Sequence, residues 1–289
     1  MIQTSNPDRK VQTRRLALDE SFRDVPRHFA AQGDLIQSHL MASLSAVFPD
    51  GEDFFVRSVR RFRDQITDPD LKRQVAGFIG QEAVHGREHR AFNDHLDRLG
   101  YPTKRIERIV KRGLEIRERW LSPKSNLALT AALEHFTATL AELLLTSEET
   151  RTQLGHQAVL DLFLWHALEE SEHKAVAFDV YRAVEGGERL RVMTMDILCV
   201  VFTVGMAFAI VVSLLGDRAT YRPGTLRRSW RAFRRSPIVS RTLWRQLRDY
   251  TRRDFHPDDS DTADLVEFWR RALFGDHGTL NDKLATATV

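Results

Sequence analysis

One cysteine, nine prolines and 15 glycines are all that this chain of 289 residues holds of those three types. The lone Cys199 excludes an intramolecular disulfide and any paired-cysteine zinc motif, and reads as an apolar filler. So few prolines and glycines leave room for long uninterrupted helices. Period-two alternation and Asn-Gly hairpin turns are missing, so nothing reads as strand. Gly-x-Ser-x-Gly, the phosphate-binding glycine loop, the dinucleotide fingerprint and His-Glu-x-x-His are missing too. No internal repeat suggests a solenoid. The stretch from Met1 to Arg15 is polar, without the apolar segment of a signal peptide, and this predicts a cytoplasmic protein.

Helical periodicity is what the sequence offers instead. One pattern runs over 34–48 and is expected to break at Pro49-Asp50-Gly51, with a second from Glu52 to about Ile66. Asp68-Pro69 caps a helix that runs to about Leu99, where Gly100-Tyr101-Pro102 ends it. A charged helix over about 104–120 meets a proline stop at Pro123. Ser125 or Asn126 then caps a helix ending near Leu145, and a last bundle helix covers about 153–184. The expectation is an all-α fold: an up-down four-helix bundle with extra helices and a C-terminal apolar helix. Residues 1–20 are expected to be flexible, 21–190 to form the bundle, 191–216 an apolar membrane-associated helix and 217–289 an Arg-rich helical region.

Two helices repeat one chemical pattern. Glu82-Ala-Val-His85 and Glu170-Ser-Glu-His173 each place a carboxylate and an imidazole three residues apart, on one helical face. Both sit among apolar neighbours such as Phe78, Ile79, Leu164 and Trp165. An unpaired carboxylate is costly there, and a metal cation is the simplest compensation. Lone glutamates on the other long helices, Glu52 and Glu134, complete a Glu, Glu-x-x-His, Glu, Glu-x-x-His order. That order matches the ligand pattern of ferritin-like di-iron and di-manganese carboxylate proteins. Glu52, Glu82, His85, Glu134, Glu170 and His173 are therefore the expected ligands of two metal ions, with Glu82 and Glu170 as the catalytic candidates. Carboxylate-rich ligation without cysteine suits iron first, then manganese, with zinc as a further alternative. His89 and His166 lie on the same faces, either as extra ligands or as hydrogen-bonded supports. Glu52 could instead serve a helix N-terminus electrostatically. His135 points away from Glu134 and reads as structural. Glu169 and Glu172 are register alternatives to Glu170.

At these residues the chain resembles a known family. Phe48-Pro-Asp-Gly-Glu-Asp-Phe-Phe55, Gln81-Glu-Ala-Val-His85, Leu133-Glu-His-Phe136, Trp165-His-Ala-Leu-Glu-Glu-Ser-Glu-His-Lys174 and Asp254-Phe-His-Pro257 are similar to runs in the bacterial proteins called predicted metal-dependent hydrolases. The resemblance covers roughly 35–275 and implies metal binding more firmly than it implies hydrolysis.

Two features lie outside that pattern. From Ile197 to Gly216 the chain runs 20 residues without a charge, long enough to span a membrane. Between Arg218 and Arg253 there are 12 Arg against one acid, Asp249. That block carries +11 and leaves −8 for the remainder of a chain whose net charge is +3. It needs an anionic partner. Its interleaving with Trp230, Phe233, Leu243 and Trp244 fits a helix at an anionic lipid surface, and no nucleic-acid motif accompanies it. The positive-inside rule would put the arginines in the cytoplasm and the metal domain outside, against the missing signal peptide. The segment then dips into one leaflet, spans against that rule, or is buried in protein. The functional expectation is a cytoplasmic, inner-membrane-associated di-iron enzyme that uses O2 to oxidise a small apolar substrate. Its alternatives are a hydrolase using metal-activated water and a metal-binding protein without turnover. A homodimer is left open.

Overall fold

The computed structural model describes residues 9–285, in which helices dominate and no strand forms; Leu16 and Leu284 make one isolated antiparallel bridge. The fold is all-α, as the sequence predicts. Four helices close a ring: α1 (Leu35–Arg60) packs on α2 (Pro69–Arg98) and α4 (Pro123–Thr146), and α6 (Gln157–His173) packs on α4 and α2. Between α2 and α4, α3 (Thr103–Trp120) lies over α1, and the short α5 (Glu148–Gln153) links α4 to α6. After α6, α7 (Val176–Ala183) continues along α2 and α4. The C-terminal helices α8 (Glu188–Leu215), α9 (Thr225–Phe233), α10 (Arg241–Asp249) and α11 (Ala263–Phe274) wrap this ring. Two apolar clusters fill it. Along α2, Phe78 belongs to one and Phe92 to the other, with Glu82, His85 and His89 between them.

Several sequence expectations need correction. The chain does not break at Pro49; α1 passes straight through it. Proline removes the N–H that would bond the carbonyl four residues back, and here Asn93 Nδ2 donates to that carbonyl, Ser45 O, at 3.1 Å. A side chain of α2 thus replaces the missing backbone donor. Pro123 does not stop a helix but begins one: it is the first residue of α4, and Ser122 Oγ accepts from Ser125 N at 3.2 Å. The last bundle helix is two, because Lys174 and Ala175 interrupt it. Residues 1–8 of the expected flexible start lie outside the described residues. Residues 9–20 pack against the bundle, with Leu16, Leu18 and Arg14 buried.

The apolar helix α8 is neither free nor engulfed. One side lies along α4 and α1, where Phe202 meets Phe136 with ring centroids 4.6 Å apart. The other side exposes Ile197, Val200, Val201, Val204, Phe208 and Val211, and only 17% of the most apolar stretch is buried. By length and composition α8 and α4 could each cross a membrane, but α4 is a bundle helix that is largely buried. At its start α8 is fastened by Arg191, fully buried, whose guanidinium donates to the carbonyls of Tyr250 and Arg252.

The far end of α8 is fastened by Asp217. Its Oδ2 accepts from Arg27 Nε at 2.9 Å and lies 2.8 Å from His28 Nε2 and 3.2 Å from His39 Nε2, while His39 Nδ1 meets Ser213 Oγ at 2.6 Å. Burial lowers the His39 pKa to about 4, whereas the surrounding donors, outweighing burial, hold Asp217 below the usual carboxylate range. Both groups bind protons more readily in the unfolded chain, so both stabilise the fold at neutral pH and lose that contribution on acidification. Stability is expected to fall as pH drops from about 6.5 toward 4, and His39→Gln to flatten that limb of a urea-denaturation series. An unchanged slope would rule out His39 as its origin.

Candidate metal centre

Seven side chains from four helices converge between the two apolar clusters. Glu52 comes from α1, Glu82 and His85 from α2, Glu134 from α4, and His166, Glu170 and His173 from α6. All are buried. Two groups form within them: Glu52, His85 and His166, and Glu82, Glu170 and His173, each with its ligand atoms within 4.8 Å of one another. His166 Nε2 is 2.9 Å from Glu170 Oε1 and 3.6 Å from Glu52 Oε1. His173 Nε2 is 3.0 Å from Glu82 Oε1, 3.3 Å from Glu134 Oε2 and 3.5 Å from Glu170 Oε1. His85 Nδ1 lies 3.7 Å from Glu170 Oε1, joining the groups. Two ligands about 2.1 Å from one ion stand roughly 3.0 Å apart at octahedral and roughly 3.4 Å at tetrahedral angles. The 3.0 and 3.3 Å separations at His173 fall between those values, and the others, from 2.9 to 3.7 Å, lie within about 0.3 Å of them.

The outward nitrogens show which lone pairs face inward. Gln81 Nε2 donates to Glu172 Oε2 at 3.0 Å, so Gln81 Oε1 accepts from His173 Nδ1 at 2.9 Å, and in the neutral ring His173 Nε2 is then the lone pair. A second relay begins at Pro49. Asn93, oriented by its Nδ2 bonds to Ser45 O and Glu107 Oε1, accepts from Ser45 Oγ at 2.7 Å. Ser45 Oγ must then accept from His89 Nδ1 at 2.9 Å, and His89 Nε2 accepts from His166 Nδ1 at 2.7 Å. His166 Nε2 is thereby left unprotonated toward Glu52 and Glu170. His85 Nε2 meets Glu169 Oε2 at 3.0 Å, and with the proton on that nitrogen, Nδ1 is the free lone pair. These partners fix each ring's tautomer and direction, as outer partners of metal-bound histidines do.

Acceptors thus face acceptors across a dry interior. Both oxygens of Glu52, Glu82 and Glu134, with His85 Nδ1 and His173 Nε2, have no hydrogen-bond partner. Such groups need cations, either protons or metal ions. Burial raises the carboxyls of Glu52, Glu82 and Glu134, and neighbouring carboxylates add to it. Burial pushes Glu170 up as well, but His173 and His166 override it and hold it well below the usual range. Burial likewise lowers His85. His173 goes the other way, because Glu170 and Glu134 outweigh its burial. Two divalent ions would match this donor set of hard carboxylate oxygens and neutral imidazoles. The residues present fit them.

Of the sequence candidates, all six expected ligands meet here, His166 stands among them, and His89 stands behind His166. Glu169 and Glu172 lie outside the groups. Both pair with Arg14, Glu169 at 3.0 Å and Glu172 at 2.8 Å, and burial, opposed by Arg14, pushes Glu169 up to about 8. Sequence reasoning missed Arg14. Gly77 and Gly80 admit it: a Cβ at either would collide with Val11 or Thr13, so bare backbone on α2 lets this segment lie close. It also missed Ser45 and Asn93, which only the packing of α2 on α1 brings together. His135 is structural, its Nε2 donating to Gln246 O at 3.0 Å. The separate group His28, His39 and Asp217 already has its carboxylate matched by Arg27 and serves the fold.

A model of the family described as predicted metal-dependent hydrolase matches residues 12–261. The chain belongs to that family. The match takes in the helices that supply all seven converging side chains, and it begins just before Arg14. No curated protein and no solved structure matches the chain significantly.

Two outcomes follow from this geometry. Glu134→Gln removes one buried carboxyl, so the chelated protein should melt higher, by about 2–4 °C for each kcal/mol relieved. The rise in melting temperature that Mn(II) gives the wild type should shrink or vanish in the variant. A variant that melts lower and still responds fully to Mn(II) would count against ligation. Asn93→Ala leaves Ser45 O unsatisfied and is expected to cost about 1–3 kcal/mol in urea denaturation. In a Pro49→Ala background the restored N–H takes over, and the loss should shrink. Equal losses in both backgrounds would refute the exchange.

Proposed function

We propose that this chain is a two-metal hydrolase that acts at the surface of an anionic membrane on a substrate carrying an apolar chain. The observation that carries the reading is the convergence of seven buried ligand side chains, among which both oxygens of Glu52, Glu82 and Glu134, with His85 Nδ1 and His173 Nε2, have no hydrogen-bond partner. The ions supply the chemistry: as Lewis acids they make water nucleophilic near neutral pH, and as a redox-active pair such as iron they pass electrons to O2. Glu52, Glu82, His85, Glu134, His166, Glu170 and His173 would hold them. Glu170 fronts a small apolar pocket beside Phe48 and Phe163, with its Oε2 accepting from Thr137 Oγ1. It is the carboxylate best placed to orient a water and take its proton, and Glu82 faces it across the centre. Apolar walls exclude bulk water and leave those two carboxylates to choose what reacts.

The membrane part rests on α8 and the arginine block. All twelve arginines between Arg218 and Arg253 are exposed, and among the described residues only Arg252 has an ion pair, with Asp259. Beside them stands the exposed apolar side of α8. Apolar residues flanked by unpaired cations are what an anionic bilayer surface binds. With α8 lying in one leaflet, the bundle and the arginines stay on the same, cytoplasmic side.

A second reading, O2-dependent oxidation at a di-iron centre, is favoured by the carboxylate-rich, cysteine-free donor set and its apolar approach. Metal analysis of natively purified protein, ester turnover, and O2 uptake by anaerobically Fe(II)-loaded protein separate the two. Hydrolysis predicts about two ions per chain and turnover of long-chain aryl esters. Chelation should stop that turnover, and Glu170→Gln should lower it on the order of 100-fold. O2 uptake without ester turnover would transfer the conclusion to the second reading. A filled centre that does neither leaves a binding protein, and fewer than one ion per chain sinks the two-metal centre itself.

A further inference from the structure

A large opening lies away from the metal centre. An apolar cavity of about 1070 Å³ lies among α8, α9, α10 and the outer faces of α1 and α4. Phe136, Phe202, Met206, Trp230, Trp244 and Leu247 are among its walls. It is at the upper end of the roughly 300–1,000 Å³ range of small-molecule sites. Three of its wall residues, Leu44 on α1, Leu140 on α4 and Ile238 in the Pro237–Val239 turn, also wall a second pocket of about 80 Å³. That inner pocket ends on His166 and Glu170. The two spaces are therefore neighbours that meet at those three side chains.

The outer mouth shows where an occupant comes from. Val211 and Leu215 line the cavity and are exposed by 53% and 60%, so it opens on the bare side of α8. Arg227 lines the same mouth, and Arg231, Arg241 and Arg245 stand exposed on α9 and α10. A wall of this apolar character offers nothing to a polar ligand, and its arginine rim offers nothing to a neutral oil droplet. We propose that the cavity holds the hydrocarbon chain of a membrane lipid, and that Leu44, Leu140 and Ile238 form the gate through which the chain reaches the metal centre. The arginines hold the mouth on an anionic bilayer, and the chain passes from bilayer to cavity without crossing water. Each CH2 it buries contributes about fourfold in affinity, so length is what the site measures. The proposal deepens the substrate named above, yet chain binding needs no metal.

Trp230 and Trp244 line the outer cavity, and this supplies the test. Dibromostearate, whose bromines quench indole fluorescence, is titrated into the purified protein, with and without chelation. A reporter variant, Phe163→Trp, places an indole in the inner pocket; Phe48→Trp serves if that one fails to fold. Dibromostearate should quench both the outer tryptophans and the inner reporter, and bromooctanoate the outer ones only. Ile238→Phe, on a surface turn, should weaken inner quenching at least tenfold and leave the outer quenching in place. Vesicles of phosphatidylglycerol with brominated chains distinguish the source: quenching by them identifies a phospholipid chain, and quenching by dibromostearate alone identifies a free fatty acid. No outer quenching by either probe overturns the proposal, and so does inner quenching that Ile238→Phe leaves unchanged. Since these readings hold in chelated protein, loss of the two-metal centre would show separately, as absent metal with chain binding intact.

Discussion

Everything else in this molecule is arranged around a repulsion. Four carboxylates and three imidazole rings converge on one buried point, and both oxygens of three of those carboxylates and one nitrogen each of His85 and His173 find no hydrogen-bond partner there. Left uncompensated, each buried charge costs several kcal/mol. Cations complete such a point, as protons on the carboxyls or as metal ions, and a metal bound there would contribute folding energy as well as chemistry.

The second ring of residues is what makes the repulsion specific. Neutral imidazole offers either nitrogen, so a ligand histidine is defined only once its other nitrogen is engaged. The relay from Asn93 through Ser45 and His89 to His166 does this with side chains on α1, α2 and α6. It starts from a backbone defect, the N–H that Pro49 lacks. One proline therefore serves two levels at once: it frees a carbonyl that anchors Asn93, and the anchored Asn93 sets the lone pair of a ring further along. On the opposite side Arg14 pairs with Glu169 and Glu172, and Arg270 brings a second cation to Glu172, so the carboxylates that orient His85 and His173 are matched from outside the centre. A bundle without the segment before α1 would have the ligands but not their support.

What could be read from the sequence divides along that line. Glu82, His85, Glu170 and His173 were legible because a three-residue spacing on a helix is a local, geometric fact. Glu134 and Glu52 were legible because an acid among apolar neighbours demands a reason. The role of His166 was not decidable, since its spacing from Glu170 suits a ligand and a support equally. Pro49 was misread because its compensation sits on another helix, and no local rule reaches Asn93. Arg14 gave no signal in a polar stretch that looked loose; its placement depends on Gly77 and Gly80, which only a folded α2 presents to Val11 and Thr13. The side of α8 that packs was hidden too, because a segment apolar all round shows no periodic face.

The arginine block and the apolar helix, which looked like appendages, belong to the same argument as the centre. A dry site demands a dry approach, because water at Glu170 would screen the interactions that define it. The bundle's own loops are too polar to supply one. Helices α8, α9 and α10 fold back on α1 and α4 and enclose an apolar cavity that shares Leu44, Leu140 and Ile238 with the pocket at Glu170, and on the proposed reading this is the approach. Their outer surfaces then carry what such an approach needs at its mouth: bare aliphatic side chains and unpaired positive charge. Removing the arginines would leave the ligand geometry untouched and still remove the reason for an apolar substrate to arrive. On the proposed reading the positive block is tied to the metal centre through the substrate, not through any contact between them.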